Sequence, residues 1–182
     1  DRLPSIKYLP EHCTEAISVY EYVDMPAHDF RVLRDYRPTK LLPEKFELDK
    51  SFGWFIGAYL SEGSAPLGQV GISNIDDSFI DNAKKFITGI GLDYTEKHHH
   101  RGFAPSRDFV VSSSLLARFM RNTCGSGSAN KRVPGFAFSA KEDFVSGLLR
   151  GYFDGDGNFT LNRRMIRVSS NSEELLDGVK LL

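Results

Sequence analysis

Two cysteines in 182 residues, Cys13 and Cys124, cannot build a disulfide framework and match no CxxC metal spacing. A reducing, cytoplasmic setting with two structural thiols is the expectation. Long apolar runs are also missing: nothing approaches the roughly 20 residues needed to span a bilayer. The first residues, DRLPSIKY, lack a basic-then-apolar signal pattern. A globular protein with no membrane partner is expected. Nor is there an excess of basic charge, since 23 Lys and Arg against 24 Asp and Glu leave a net charge of −1. That balance speaks against phosphate neutralisation over the whole surface. A histidine-rich metal centre is excluded as well. His98, His99 and His100 are consecutive, so on a strand they cannot converge on one ion.

The neutral total conceals an uneven distribution. Between Lys97 and Arg132 the basic residues are Lys97, Arg101, Arg107, Arg118, Arg121, Lys131 and Arg132, opposed only by Asp108. A basic surface can therefore form locally.

An internal repeat organises the chain. SFGWFIGAYLSEGS and SGLLRGYFDGDGN superpose without gaps at a shift of 94 residues, the separation of Glu62 and Asp156. Gly53 falls on Gly147, Gly57 on Gly151, Ser61 on Gly155 and Gly63 on Gly157, and the acid Glu62 falls on the acid Asp156. VGISNIDDSFI then matches IRVSSNSEELL at a shift of 96, the separation of Ile72 and Val168, so the second copy has a longer turn. Each copy reads as a helix, a glycine stop, a β-hairpin, a Ser/Asn/Asp cap and a second helix, DDSFIDNAKKFITGI or SEELLDGVKLL. The first copy adds two strands, LDYTEKHHH and RDFVVSSS, around the turn RGFAPS, then the helix SLLARFMRN and the break CGSGSAN. These patterns predict an α+β fold built on an αββαββα repeat, the second copy stopping at Leu182 inside its second helix. Residues 46–140 form the first repeat and 141–182 the start of the second. Residues 1–45, with five prolines and no sustained periodicity, are a linker-like lead-in.

Glycines and a serine at every fourth position place Gly53, Gly57 and Ser61 on one helical stripe and Gly147, Gly151 and Gly155 on another. Each helical glycine costs about 1 kcal/mol relative to alanine, which asks for a packing reason. Small stripes let two helix backbones touch. Glu62 and Asp156 then occupy the last turns, where the helix macrodipole disfavours a carboxylate, and Gly63 and Gly157 follow as C′ caps. Helices packed side by side through the stripes bring both acids together, and two adjacent acids repel unless a cation joins them. Hard divalent ions suit such oxygens. Asp154 is not drawn into this set, because its partner position is Leu60. Trp54, Phe52, Phe55 and Phe86 read as core residues rather than base-stacking groups.

FIGAYLSEG and LRGYFDGDG resemble the paired LAGLIDADG motifs of homing endonucleases of the dodecapeptide, intein-encoded type. NKRVPGF, with Lys131, is similar to the Lys-x-x-Pro block that precedes the second motif in that family. The resemblance covers about Leu48 to Leu182. It implies a saddle-shaped antiparallel sheet lying in the major groove of double-stranded DNA and a monomer with pseudo-two-fold symmetry. It implies hydrolysis of phosphodiesters with Mg²⁺ or Mn²⁺ held by Glu62 and Asp156, with the backbone of Gly63 and Gly157 as further candidate ligands. Lys131 carries over as the catalytic lysine, an ordinary loop lysine being the plainer alternative. The lead-in resembles the joint to an intein splicing domain in cis, and the family pattern continues beyond a motif two for longer than this chain does. An inactive nucleic-acid-binding module on the same fold, or a decayed remnant, stays open beside the nuclease.

Strand alternation assigns the DNA face. In RRMIRVSS the outer side chains are Arg163, Met165, Arg167 and Ser169, with Ile166 and Val168 turned to the core. In the first copy the equivalent outer face is Gln69, Gly71 and Ser73. Arg101 and Arg107, flanking the hairpin turn, are further candidate DNA contacts. Arginine to guanine and glutamine to adenine are the expected pairings; ordinary polar outer faces are the alternative.

Overall fold

The computed structural model describes residues 13–23, 42–66, 68–99, 106–160 and 165–182. In chain order these are β1 (Ala16–Ser18), α1 (Val19–Tyr22), β2 (Lys45–Glu47), α2 (Lys50–Glu62), β3 (Gly63–Ser64), β4 (Gln69–Asn74) and α3 (Asp77–Gly89). Then come β5 (Thr95–His99), β6 (Ser106–Ser112), α4 (Ser114–Cys124) and a 3-10 turn at Gly135–Ser139. Last are α5 (Glu142–Asp156), β7 (Asn158–Thr160), β8 (Met165–Arg167) and α6 (Glu173–Leu181). Among the described residues no helix is long and apolar enough to cross a membrane.

The helix starts are chemically explicit. Asp49, Ser113 and Ser172 each accept a hydrogen bond from the backbone N–H three residues on, and Asp76 from Ser78. Each such cap is worth about 1 kcal/mol. The first repeat folds as an antiparallel sheet in the order β3-β4-β6-β5, with α2, α3 and α4 covering one face. Val70 and Ile72 on β4 and Phe109 and Val111 on β6 turn inward and are almost fully buried. They meet an aromatic cluster in which Phe52 packs on Phe46, Phe86, Phe119, Phe136 and Phe144. Trp54, Phe52, Phe55 and Phe86 are all core residues.

Two expectations need correction. The described part of the lead-in is packed, not linker-like. Strand β1 pairs antiparallel with β2, and Ile17, Val19 and Val23 are buried in the same core as the aromatic cluster. Three apolar residues at uneven spacing were enough to dock a segment that lacks any period. The second concerns β8, where alternation turns Ile166 inward. In the structure Ile166 is 53% exposed, while its counterpart Val70 is wholly buried. The reason is coverage: β4 is flanked by β6, whereas β7 and β8 form a two-stranded sheet.

Candidate active site and nucleic-acid face

Helices α2 and α5 make the largest contact in the fold, and glycine makes it possible. A Cβ added at Gly53 would lie 2.1 Å from the carbonyl oxygen of Phe144, and one at Gly147 would lie 2.2 Å from that of Lys50. At Gly57 it would meet the Leu148 oxygen at 2.0 Å, and at Gly151 the Trp54 oxygen at 2.1 Å. Shifting each first-copy residue by 94 positions converts one contact of each pair into the other. The seam therefore obeys a local two-fold exchange, with the helices parallel. A Cβ on Gly155 would run into the Ser61 side chain, 2.2 Å from its Oγ. Asp154 also works in the seam, accepting from the Trp54 indole N–H at 3.2 Å, beside Arg150.

Parallel packing brings Glu62 and Asp156 to the same end. Burial raises the pKa of both carboxyls. The charge of Asp156 pushes Glu62 further up, and Lys131 draws both partly back. Each helix then passes directly into a strand. Gly63 and Gly157 are extended, with φ of −88° and −76°, so the left-handed C′ cap expected from the sequence is absent. Glycine is required for another reason: a Cβ would lie 2.5 Å from the Tyr59 carbonyl oxygen at Gly63 and 2.3 Å from the Phe153 oxygen at Gly157.

Lys131 is buried, only 6% exposed, unlike an ordinary loop lysine. Its Nζ donates to the carbonyl of Ser61 at 3.0 Å and sits 5.6 Å from the centre of the Tyr59 ring. Tyr59 is held in turn by a 2.7 Å hydrogen bond to the Gly125 carbonyl. Burial lowers the ammonium pKa, and the charges of Asp156 and Glu62 oppose that shift. The lysine loop is anchored by Arg132 N–H on the Cys124 carbonyl at 2.9 Å. Gly125, at φ +77°, lets the Asn130 carbonyl approach where a Cβ would be 1.9 Å away. Cys124 is fully buried, its thiol pushed up to about 12, which agrees with a structural role.

A cavity of about 300 Å³ opens beside these groups, lined by Ser61, Ser128, Lys131, Asp156, Ser169 and Asn171 among others. Ser169 was expected on the DNA face and here joins the acid and the lysine. Ser128 and Asn171 were missed by sequence reasoning: the first lies in a Gly/Ser-rich break and the second before a helix cap, where both read as turn residues. Among the described residues no cluster of three or more His, Cys, Asp or Glu side chains could hold a metal.

On the sheet, residues directly opposed across antiparallel strands share a face. Gln69 opposes Ser112, Gly71 opposes Val110 and Ser73 opposes Asp108, while Thr95 opposes Val110 and Lys97 opposes Asp108. The outer face thus holds Gln69, Gly71 and Ser73, as expected, and adds Thr95 and Lys97. Ser73 donates to Asp108 at 2.7 Å. Arg107 lies on the opposite face of the sheet. It shares parity with buried Phe109 and Val111, turns toward α3 and is tied to Asp77 and Glu96, the latter also paired with Lys84 at 2.6 Å. Its guanidinium is engaged by these carboxylates. In the second copy Arg167 is exposed and Met165 half-buried. Arg101 and Arg163 lie outside the described residues.

Residues 143–182 match the family described as a LAGLIDADG-like domain. The chain is 42% identical over its whole length to a segment of the DNA-directed RNA polymerase subunit Rpo1C of Methanocaldococcus jannaschii, and spans 21% of that protein. It is 29% identical, over 92% of its length, to 15% of the probable translation initiation factor IF-2 of Thermococcus kodakarensis. The chain thus spans about a fifth or less of these curated relatives. Among solved structures it is similar to the homing endonuclease I-DmoI bound to its target DNA in the presence of manganese, with a TM-score of 0.51, 12% identity and 73% of each chain covered. The chain carries the LAGLIDADG homing-endonuclease fold, and its residues 143–182 belong to the LAGLIDADG-like family.

Proposed function

We propose that this chain is the DNA-cutting part of an intein, a site-specific endonuclease that hydrolyses both strands of a double-stranded target with a divalent ion. The observation that carries this reading is the pairing of Glu62 and Asp156. Two carboxyls of raised pKa, Glu62 half-buried and Asp156 at the exposed end of its helix, sit at matched ends of a two-fold helix seam, with the buried Lys131 close enough to lower both. Two such acids fit Mg²⁺ or Mn²⁺, which take one or two carboxylates and complete their shell with phosphate and water oxygens. Bound there, the ion would supply a water acidic enough to attack at neutral pH and charge to offset the phosphorane.

The chain's own residues account for the remaining needs. Glu62 and Asp156 would hold the ion and, by symmetry, would face one strand each. Lys131, fixed on the Ser61 carbonyl, presents positive charge to the transition state without reorganising. The outer sheet face supplies base contacts through Gln69, Ser73, Lys97 and Arg167. The two copies differ at these positions, so an asymmetric site is expected.

The intein setting is supported by the relatives. Similar stretches lie inside an RNA polymerase subunit and a probable translation initiation factor, proteins with no shared task, which is how an inserted mobile element is distributed. On this reading residues 46–140 are one repeat, 141–182 begin the second, and 1–45 join a splicing domain in the same polypeptide. The molecule works as a cytoplasmic monomer about its pseudo-two-fold axis. The test is to incubate the chain within its parent polypeptide with Mg²⁺ and DNA carrying the uninterrupted host-gene site. Double-strand cleavage abolished by Glu62→Gln and by Asp156→Asn supports the reading; binding without cleavage in all three forms rejects it.

A further inference from the structure

The two copies differ at one helix cap in a way that their alignment makes visible. Ser172 caps α6 and occupies the repeat position of Asp76, which caps α3. Their surroundings correspond closely. Asp76 N–H bonds to the Asn74 side chain at 2.8 Å, and Ser172 N–H bonds to the matching Ser170 hydroxyl at 3.1 Å. The side chains then diverge. Asp76 is exposed and can only accept, taking the N–H and hydroxyl of Ser78. Ser172 is 2% exposed and does both. Its oxygen accepts from Leu175 N–H at 3.1 Å, and its hydroxyl proton goes to the backbone carbonyl of Lys131 at 2.5 Å.

We propose that Ser172 is a positioning residue for the catalytic lysine, a hydroxyl bridge that locks α6 of the second copy onto the Lys131 backbone. This rests on the nuclease reading for its consequence but not for its geometry. The Lys131 carbonyl is buried, and a carboxylate in place of Ser172 could cap the helix yet would repel that oxygen. A hydroxyl meets both demands. The bridge is reinforced nearby, where Gly178 of α6 lies so close to Val133 that a Cβ would be 2.8 Å from its Cγ2. The peptide unit that joins Lys131 to Arg132 is thus held on both sides, its N–H by the Cys124 carbonyl of α4 and its carbonyl by Ser172 of α6. With that peptide plane fixed, the Lys131 backbone is anchored where its ammonium meets the Ser61 carbonyl.

The test compares four variants in the full chain: Ser172→Ala, Ser172→Asp, Ser172→Thr and Glu174→Gly. Alanine removes cap and bridge, aspartate copies Asp76 and keeps the cap alone, threonine keeps both, and glycine at exposed Glu174 weakens α6 without touching the bridge. Reductive methylation of the Lys131 amine, read by peptide mass spectrometry, reports its protection whether or not the protein cuts DNA. Protection should fall in Ala and Asp, return in Thr and survive in Glu174→Gly. Cleavage should slow by about 10- to 100-fold in Ala and Asp, as for a displaced catalytic group, with DNA affinity kept. In a Lys131→Met background Ser172→Ala should then add no further loss. Undiminished protection in both Ala and Asp, or equal exposure of Lys131 in Glu174→Gly, overturns the proposal. Protection that responds as expected in a wild type that cuts no target leaves the positioning role standing and rejects the nuclease reading.

Discussion

The ammonium of Lys131 donates to the carbonyl of Ser61, 3.0 Å away and one residue before Glu62. The lysine loop is thereby tied to the last turn of the first motif helix, next to Glu62. Replacing Lys131 with methionine keeps volume but removes the charge. The expected result is a single-turnover cleavage rate lower by ~100-fold or more, the usual loss when a preorganised stabilising group is removed, with DNA affinity little changed. Rapid-quench kinetics and filter binding check the two halves of that statement.

The raised carboxyls give a stability test. A group whose folded pKa lies above its unfolded value stabilises the fold fully below the unfolded pKa and loses that contribution as pH rises through the folded one. Glu62 and Asp156 both belong to this class. At neutral pH they therefore work against folding, so Glu62→Gln and Asp156→Asn should each raise the melting temperature. The gain should shrink as pH falls through the folded carboxyl pKa and vanish below about 4, where the unfolded groups are protonated as well. Scanning calorimetry from pH 3 to 8 measures it. A wild type melting higher than both variants at pH 7 without metal would contradict the electrostatics described here.

Glycine contacts in the α2–α5 seam should be unforgiving. Gly57→Ala places a methyl 2.0 Å from the Leu148 oxygen, backbone against backbone, and neither helix can yield without moving the whole seam. A loss of about 3 kcal/mol is expected, or a fall in melting temperature of ~6–12 °C. Gly89→Ala is the contrast. Nothing lies within 4 Å of a Cβ there, and alanine at the end of α3 should be neutral or slightly stabilising.

Arg107 and Lys97 separate structure from recognition on one sheet. Arg107→Ala should lower stability through the loss of Asp77 and Glu96 as partners while leaving the salt dependence of DNA affinity unchanged. Lys97→Ala, on the outer face, should leave stability intact and reduce the slope of log affinity against log salt by about one. Paired denaturation and titration experiments on the two variants distinguish the faces.

Much of this arrangement is written in short-range pattern. Four-residue glycine spacing locates the helix seam, and the shift of 94 residues pairs Glu62 with Asp156 before any coordinates exist. Alternation on β4 places Val70 and Ile72 inside and Gln69 and Ser73 outside. What fails is what depends on distant chain. Ile166 has the right parity, but among the described residues its strand is flanked by β7 alone. Ile17, Val19 and Val23 carry no period and are recruited by a pocket made elsewhere. Gly63 and Gly157 were assigned a left-handed cap, whereas the chain leaves each helix extended and glycine is needed only to clear the carbonyl four residues back. Arg107 is a different case. Its parity with Phe109 and Val111 was legible, and a basic residue near a turn outweighed it. The burial of Lys131 and its bridge from Ser172 join residues 41 positions apart, beyond any local pattern.

The pairing of Glu62 and Asp156 around one ion can be measured without a DNA target. Mn²⁺ titration followed by electron paramagnetic resonance should show one ion held by the wild-type chain, weakened at least about tenfold by Glu62→Gln and as much by Asp156→Asn, with the double variant hardly worse than either. Mn²⁺ bound equally well by the wild type and the double variant would show that these two acids are not the metal site.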